Sequence, residues 1–153
     1  MIKVNVLSDE KSWSRKIKKK EKLFNKVCSY FPKKFRFINK KVYLTLLLSN
    51  NKKIKILNKK FRNKNKHTDI LSFPFSSKIK NFKEIYLGDI IISFNYMNKP
   101  KNLINKEFKK KTIKIFIHGF LHLLGYDHLK HKEFKKMVHE EQKIFKSIEK
   151  IFN

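Results

Sequence analysis

The sequence predicts a single α+β domain over residues 1–153, with a small mixed β-sheet of about four strands packed with several helices. Three observations predict this fold class. A chain of 153 residues, 41% of them apolar, is long enough for one core but short for two. Segments with the period of a strand and segments with the period of a helix occur along the whole chain. Finally, no repeat, Gly/Ser-rich linker or second-domain boundary divides it.

The first part of the chain predicts two strands and two helices. Residues 2–7 alternate apolar and polar side chains, which is typical of a half-buried strand. From Trp13 the apolar residues recur at helical spacing among lysines, which predicts one amphipathic helix that ends before Pro32. Residues 42–48 are almost uniformly apolar and predict a central strand covered on both faces. Residues 54–61 then predict a helix that leads to Arg62.

The remaining elements are two strands and two helices. Residues 68–75 and 87–93 predict strands separated by a lysine-rich turn or hairpin. Pro74 should lie at a strand end or on an edge, because it has no amide hydrogen for the ladder. Residues 113–124 are so apolar that their helix should run through the core, and a last amphipathic helix is predicted at about 133–151.

The charge of the chain has two interpretations. There are 39 Lys and Arg against 12 Asp and Glu, which gives a net charge of +27. Such an excess is typical of nucleic-acid-binding proteins, because cations that neutralise phosphates release counterions. However, all but three of these residues are lysines spread along the chain, which is equally typical of a biased composition on a solvated surface. The charge alone therefore does not decide the function.

The single cysteine, Cys28, excludes an internal disulfide and a cysteine-based zinc site. We interpret it as a small buried side chain on a helix. A reducing compartment, and hence a cytoplasmic location, follows as the expectation. No apolar stretch is long enough to cross a bilayer and the start of the sequence lacks a long apolar signal region, so we expect no membrane partner.

Three of the six histidines, His118, His122 and His128, lie within one short stretch. Helix residues four apart share a face with Cβ atoms about 5–6 Å apart, so His118 and His122 can reach one ion. Gly125 can end the helix in a left-handed turn that brings His128 back to the same ion. Three neutral imidazoles suit Zn²⁺ and leave one tetrahedral position open, as in catalytic zinc sites. Asp127 is a candidate to orient one of the imidazoles.

Two other interpretations of these histidines stay open. They could be packing residues beside a structural C-cap glycine. The same spacing also occurs in metalloproteases of the pattern H-E-x-x-H-x-x-G-x-x-H, where the glutamate is the general base. Gly119 stands at the position of that glutamate, so a peptidase would lack its proton acceptor. A zinc hydrolase with another substrate is therefore favoured over a peptide hydrolase.

Residues 118–128 read His-Gly-Phe-Leu-His-Leu-Leu-Gly-Tyr-Asp-His and resemble the histidine signature of the YbeY family, bacterial endoribonucleases and ribosomal RNA maturation factors. Residues 57–62, 68–75 and 87–90 resemble the other motifs of that family in the same order, so the likeness covers about residues 42–145. It implies a zincin-like fold with one zinc ion per chain on the three histidines. It further implies single-strand-specific cleavage in ribosomal RNA processing, notably at the 3′ end of 16S rRNA, with the small ribosomal subunit and a ribosome-associated GTPase as partners.

The family's cleft arginine falls on Arg62, and the residue type supports this position independently. A planar guanidinium can hold a phosphate through two hydrogen bonds, whereas lysine offers a point charge. The alternative is an ordinary arginine at the C-terminal end of a helix. Ser72 and His67 are further candidates to line the cleft.

We therefore predict His118, His122, His128 and Arg62 as the catalytic residues of a zinc-dependent endoribonuclease that gathers single-stranded or ribosomal RNA on its lysine surface. A zinc peptidase and a noncatalytic ribosome-assembly factor with a structural zinc ion are the alternatives.

Overall fold

The computed structural model describes residues 1–76 and 83–153. Its strands and helices are β1 Ile2–Ser8, α1 Trp13–Lys16, α2 Lys20–Ser29, α3 Lys33–Arg36, β2 Lys41–Ser49, α4 Asn51–Arg62, β3 Ile70–Pro74, β4 Glu84–Ser93, α5 Phe94–Met97, α6 Asn105–Leu123 and α7 His131–Ile148, followed by a 3-10 helix, Glu149–Phe152. The predicted α+β class is confirmed. The lysine-rich turn predicted between β3 and β4 falls mainly on residues 77–82, outside the described residues.

The sheet is mixed and has four strands, as predicted, in the order β1-β2-β4-β3. β1, β2 and β4 run parallel, and β3 pairs antiparallel with β4 at one edge. The central position of β2 is confirmed. Its predicted coverage on both faces is only partly right: Val42 and Leu44 are fully buried, whereas on the opposite face Tyr43 and Thr45 are half-buried. That opposite face is covered at one end, where Leu47 packs against the apolar cluster that contains Ile54 of α4. Pro74 ends the edge strand β3, as its missing amide hydrogen predicts.

The helix predicted from Trp13 to before Pro32 is in fact two helices, α1 and α2. The chain breaks at Ile17, whose backbone is extended with φ −133° and ψ 101°. A continuous helix would place Lys20 on the same buried stripe as Ile17, and the break avoids that burial. The four-residue helices α3 and α5 were not predicted, since so short a segment cannot display a helical period.

The helix α6 runs through the core, as its apolar sequence predicts. Phe116, Ile117 and Phe120 are almost completely buried, and α2 supplies Phe24, whose ring meets Phe116 edge to face at 5.0 Å. The amphipathic helix α7 packs against α6 and begins two residues earlier than predicted. Packing these helices over one face of the sheet fixes the C-terminal end of α6 beside β3.

Two further sequence predictions concern single features of the chain. Cys28 is buried on α2, as predicted, and burial raises the pKa of its thiol. Among the described residues, no helix combines the length and the apolar composition needed to cross a membrane.

Candidate metal centre

The C-terminal end of α6 and the turn after it bring three histidines together. His118 and His122 lie one turn apart on α6, and Gly125 adopts the predicted left-handed backbone with φ 92°. The amide of Gly125 donates to the carbonyl of His122 at 3.0 Å, and the amide of Tyr126 donates to that of Leu121 at 3.0 Å. This pair of bonds is the Schellman motif, which closes a helix and reverses the chain. A Cβ at Gly125 would meet no atom within 4 Å, so its backbone conformation is the reason for the glycine.

The three imidazoles are close enough to share one ion. The Nε2 atoms of His118 and His122 are 3.1 Å apart, and one ring nitrogen from each of the three histidines lies within 4.8 Å of the others. Tetrahedral coordination with Zn–N distances of about 2.0–2.1 Å separates two ligand nitrogens by about 3.3–3.4 Å. The pair on α6 is about 0.2–0.3 Å closer than this spacing, and the exposed ring of His128 has to move toward the pair to complete the set. The donor set therefore fits a metal ion.

Hydrogen bonds to the outer ring nitrogens set which atoms face this ion. Nδ1 of His118 lies 2.5 Å from Oε1 of Glu141, and Nδ1 of His122 lies 2.9 Å from the carbonyl oxygen of Tyr126. Because these oxygens accept, the protons lie on Nδ1 and leave lone pairs on both Nε2 atoms. Two nitrogen lone pairs that face each other at 3.1 Å repel each other, and a positive ion bound by both nitrogens would remove this repulsion.

The protonation of His122 also favours metal binding. Burial, and next the nearby His118 ring, lower the pKa of His122 below its ordinary value, although the hydrogen bond to Tyr126 acts in the opposite direction. A lowered pKa keeps the ring neutral at lower pH, and only the neutral ring can be a ligand.

The residues that orient the imidazoles differ from the sequence prediction. Asp127 was the candidate, but its Oδ1 accepts the backbone amide of His128 at 2.7 Å and so shapes the turn. Sequence analysis missed Glu141, which lies on α7 and meets His118 only through the packing of α7 against α6. The sole signal was a pair of adjacent glutamates in an amphipathic helix.

Gly119 faces the sheet, and its lack of a side chain has a packing reason. A Cβ at this position would lie 2.7 Å from Cδ1 of Ile70 and 3.0 Å from Oγ of Ser72. The glutamate that a metalloprotease carries here would collide with β3, so this backbone arrangement does not admit that general base.

Arg62 shares a surface cleft of about 600 Å³ with the three histidines. It is the last residue of α4, and both α4 and α6 pack against β3. Its Nη2 donates to the carbonyl oxygen of Ser72 at 3.4 Å, and its Cζ lies 5.8 Å from the centre of the Phe73 ring. The guanidinium is exposed and keeps further donors for a ligand. We call this space the metal cleft; it is lined by Arg62, Lys64, Thr68, Asp69, Ile70, Ser72, Pro74, His118, His122, Gly125, Tyr126, Asp127, His128 and Leu129.

Of the two further cleft candidates, the structure places one in the cleft. Ser72 lines it, and its buried Oγ has no hydrogen-bond partner among the described residues. His67 lies elsewhere: its Nδ1 is 2.9 Å from the hydroxyl of Tyr96, outside the cleft lining, so that expectation is wrong.

Comparison with known proteins identifies the family. The family model described as Endoribonuclease YbeY matches residues 6–149. A curated protein named Endoribonuclease YbeY from Pelagibacter ubique (strain HTCC1062) is 61% identical over 148 residues, which are 97% of each chain. Another of that name from Persephonella marina is 37% identical over 113 residues, covering 73% of this chain and 74% of the relative.

The fold agrees with this result. The solution structure of TM1509 from Thermotoga maritima matches 95% of this chain and 88% of its own, with a TM-score of 0.55 and 27% sequence identity. The histidine signature, the fold and these sequence matches agree, and the chain belongs to the Endoribonuclease YbeY family.

Proposed function

We propose that this chain is a zinc-dependent, single-strand-specific endoribonuclease, and that residues 1–153 act as one catalytic domain. The observation that carries the proposal is the metal cleft, where three convergent imidazoles and an exposed arginine line the same space. The relatives named as endoribonucleases support the choice of RNA as the substrate. Nitrogen-only ligands support zinc, because imidazole suits it and hard oxygen-seeking ions such as Mg²⁺ prefer carboxylates.

His118 and His122 are proposed to hold the ion through Nε2 and His128 through one of its ring nitrogens, with His118 kept in place by Glu141 and His122 by the carbonyl of Tyr126. A zinc ion bound there would lower the pKa of a coordinated water to about 7 and polarise a phosphoryl oxygen. The open side of the site faces the cleft that Arg62 lines, so substrate and water approach from that side.

Arg62 is proposed to bind the scissile phosphate. A phosphodiester gains negative charge as its phosphorus is attacked, and a guanidinium beside it stabilises that charge in the transition state. The contacts of Arg62 with Ser72 and Phe73 hold the guanidinium at the cleft, so the group is positioned before substrate binds. Loss of one such preorganised donor costs on the order of 10²–10³-fold in rate.

The test compares cleavage of a labelled single-stranded RNA and of the same sequence in a duplex. We expect cleavage of the single strand only, its loss with a zinc chelator and its return with added Zn²⁺. Arg62→Gln should lower the cleavage rate about 10²-fold or more at unchanged zinc content. The rate of Arg62→Lys should lie between those of the wild type and Arg62→Gln, because lysine keeps the charge but not the planar pair of donors.

Lys59→Gln is the matched control, since Lys59 is an exposed cation in the last turn of the same helix outside the metal cleft. Full cleavage by Arg62→Gln at normal zinc content would contradict the role of the arginine. Cleavage that persists when all three histidines are changed would contradict the enzymatic proposal and favour a noncatalytic assembly factor. Hydrolysis of casein would favour a peptidase, which the packing around Gly119 disfavours.

We further propose that the substrate is ribosomal RNA in the cytoplasm, including the 3′ end of 16S rRNA, and that the small ribosomal subunit and a ribosome-associated GTPase are the partners. This step rests on the family resemblance. Precursor 16S rRNA incubated with the wild-type chain should acquire a mature 3′ end, and cleavage only at other positions would refute this assignment.

A further inference from the structure

A second concave surface lies far from the metal cleft and carries an unusual charge. It is formed by α1, the segment that leads into α2, α2 itself and the first turns of α6, and has a volume of about 470 Å³. Seven of the ten residues that line it are Lys or Arg, and none is Asp or Glu. We call it the basic groove, and Lys18, Lys22, Lys26 and Lys109 are the lining residues used below.

The groove is more cationic than the rest of the described surface. Lys and Arg make up just under half of the exposed described residues, but seven of the ten residues that line the groove. Other concave surfaces have mixed charge: a groove between α6 and α7 carries two lysines and two glutamates. The metal cleft itself pairs Arg62 and Lys64 with Asp69 and Asp127. A concentration of like charge is unfavourable in the absence of a counter-charge, so it indicates a surface that meets an anion.

The ammonium groups of the groove are available to such an anion. Lys16 is held, because its Nζ donates to the carbonyl oxygen of Leu103 at 2.8 Å. Lys18, Lys22 and Lys26 are exposed, and Lys22 and Lys26 are one turn apart on α2. In the described part of the chain, none of these three forms an ion pair. The floor beneath them is formed by Ile17, which is buried, and Leu23, which is half-buried, so the exposed ammonium groups surround a short apolar floor.

The position of the groove relates it to the metal cleft. Lys109 lies near the start of α6 and His122 near its end, so the two surfaces occupy opposite ends of one rigid helix. The helical rise of about 1.5 Å per residue puts these residues about 20 Å apart along the axis. Because α6 runs through the core, RNA on the surface follows a longer path than this axial distance. A stacked single strand that advances about 3.4 Å per nucleotide therefore needs at least about six nucleotides to join the two surfaces.

We propose that the basic groove binds the phosphate backbone of single-stranded RNA that flanks the segment in the metal cleft. The proposal rests on the proposed function for the choice of RNA. Flexible ammonium groups suit it, because they neutralise successive phosphates without reading the bases. The groove would thus hold RNA longer than about six nucleotides more tightly, while leaving the reaction at the metal cleft unchanged.

The test measures binding, so it does not depend on cleavage. A fluorescently labelled 24-nucleotide oligo(U) is titrated with the wild-type chain at several salt concentrations, and the RNA is checked for integrity after each titration. The groove variant is K18Q/K22Q/K26Q. The control variant is K52Q/K53Q/K55Q, which removes three exposed lysines from the first half of α4, outside the basic groove and the metal cleft.

For single-stranded RNA, the plot of the logarithm of the binding constant against the logarithm of the salt concentration becomes shallower by about 0.7 for each phosphate that the protein no longer neutralises. The groove variant lacks three lysines, so we expect its slope to be shallower than that of the wild type by about 2. The control variant should change the slope by less than about half as much. A triple Lys→Arg variant at the groove positions should bind like the wild type, which excludes misfolding as the cause. Cleavage of a six-nucleotide RNA should be equal in the wild type and the groove variant.

An equal decrease of slope in the groove and control variants would overturn the proposal, because the lysine surface would then bind RNA without a preferred site. Competition by a polyglutamate peptide as strong as that by oligo(U) would also overturn it, in favour of an acidic protein partner. If neither the wild type nor any variant cleaves RNA and the groove variant alone loses RNA binding, the proposed function would be contradicted. The same result would still support RNA binding by the basic groove.

Discussion

Replacing Glu141 with alanine should weaken metal binding at the three histidines without changing any ligand. The carboxylate accepts the Nδ1 proton of His118 at 2.5 Å and so keeps Nε2 free and directed at the ion. Loss of a carboxylate in this position typically costs 10- to 100-fold in metal affinity. The side chains of His118 and Glu141 are 26% and 29% exposed, so water replaces part of the interaction. We therefore expect the lower part of that range, about 10- to 30-fold, or about 1.4–2 kcal/mol.

The affinity is measured at fixed pH by competition between the chain and a chromophoric zinc chelator. Glu141→Gln keeps a carbonyl acceptor and should lose less than Glu141→Ala. Glu140→Gln is the matched control, because Glu140 is the next residue on α7 and pairs with Lys34 at 2.9 Å, outside the metal cleft. The control should lower thermal stability and leave zinc affinity unchanged. Wild-type zinc affinity in a folded Glu141→Ala chain would refute the reasoning.

Three further predictions concern packing and pH. Gly119→Ala should lower the free energy of unfolding in urea by about 1 kcal/mol. Overpacking against Ile70 costs about 1–3 kcal/mol, and the higher helix propensity of alanine offsets about 1 kcal/mol of that cost. A variant more stable than the wild type would contradict the close approach of Ile70 to Gly119. Burial acts to raise the pKa of Glu140, but the ion pair with Lys34 holds this pKa below its ordinary value. The pair should therefore stabilise the fold fully at pH values above the ordinary glutamate pKa, and the stabilisation should be lost as the pH falls through the lowered pKa of the folded chain. Because the Lys34 side chain is 58% exposed and water screens the pair, Lys34→Met should cost about 0.5–1 kcal/mol at neutral pH and less in acid, whereas a pH-independent loss would contradict the pairing. Zinc affinity should fall as the pH drops through the ordinary histidine range, because a protonated imidazole cannot be a ligand, and the lowered pKa of His122 keeps that ring neutral to lower pH; a flat pH profile would argue against imidazole ligands.

The sequence predicted those parts of the fold that depend on local pattern. Three features depend only on the residues next to them in the chain, and all three were predicted correctly. They are the helical spacing of His118 and His122, the left-handed turn at Gly125 and the position of Pro74 at the end of the edge strand. The break at Ile17 was not predicted, because apolar residues recur at helical spacing on both sides of it, although a continuous helix would place the polar Lys20 on the buried stripe.

The rest of the site depends on contacts between distant segments. Glu141 is 23 residues from His118, and only the packing of α7 against α6 joins them. The reason for Gly119 was equally hidden, since the close approach of Ile70 follows from the antiparallel placement of β3 at the sheet edge. Likewise, the scattered lysines of α2 and α6 form one groove only after the chain has folded.

The central claim is that three imidazoles hold one ion together, and native mass spectrometry of the chain after equilibration with Zn²⁺ tests it most directly. The account predicts one zinc ion per wild-type chain and loss of that ion in His118→Ala, His122→Ala and His128→Ala, with His131→Ala as a control that keeps it. Retention of one tightly bound ion in all three ligand variants would contradict the account, as would a folded wild-type chain that binds none.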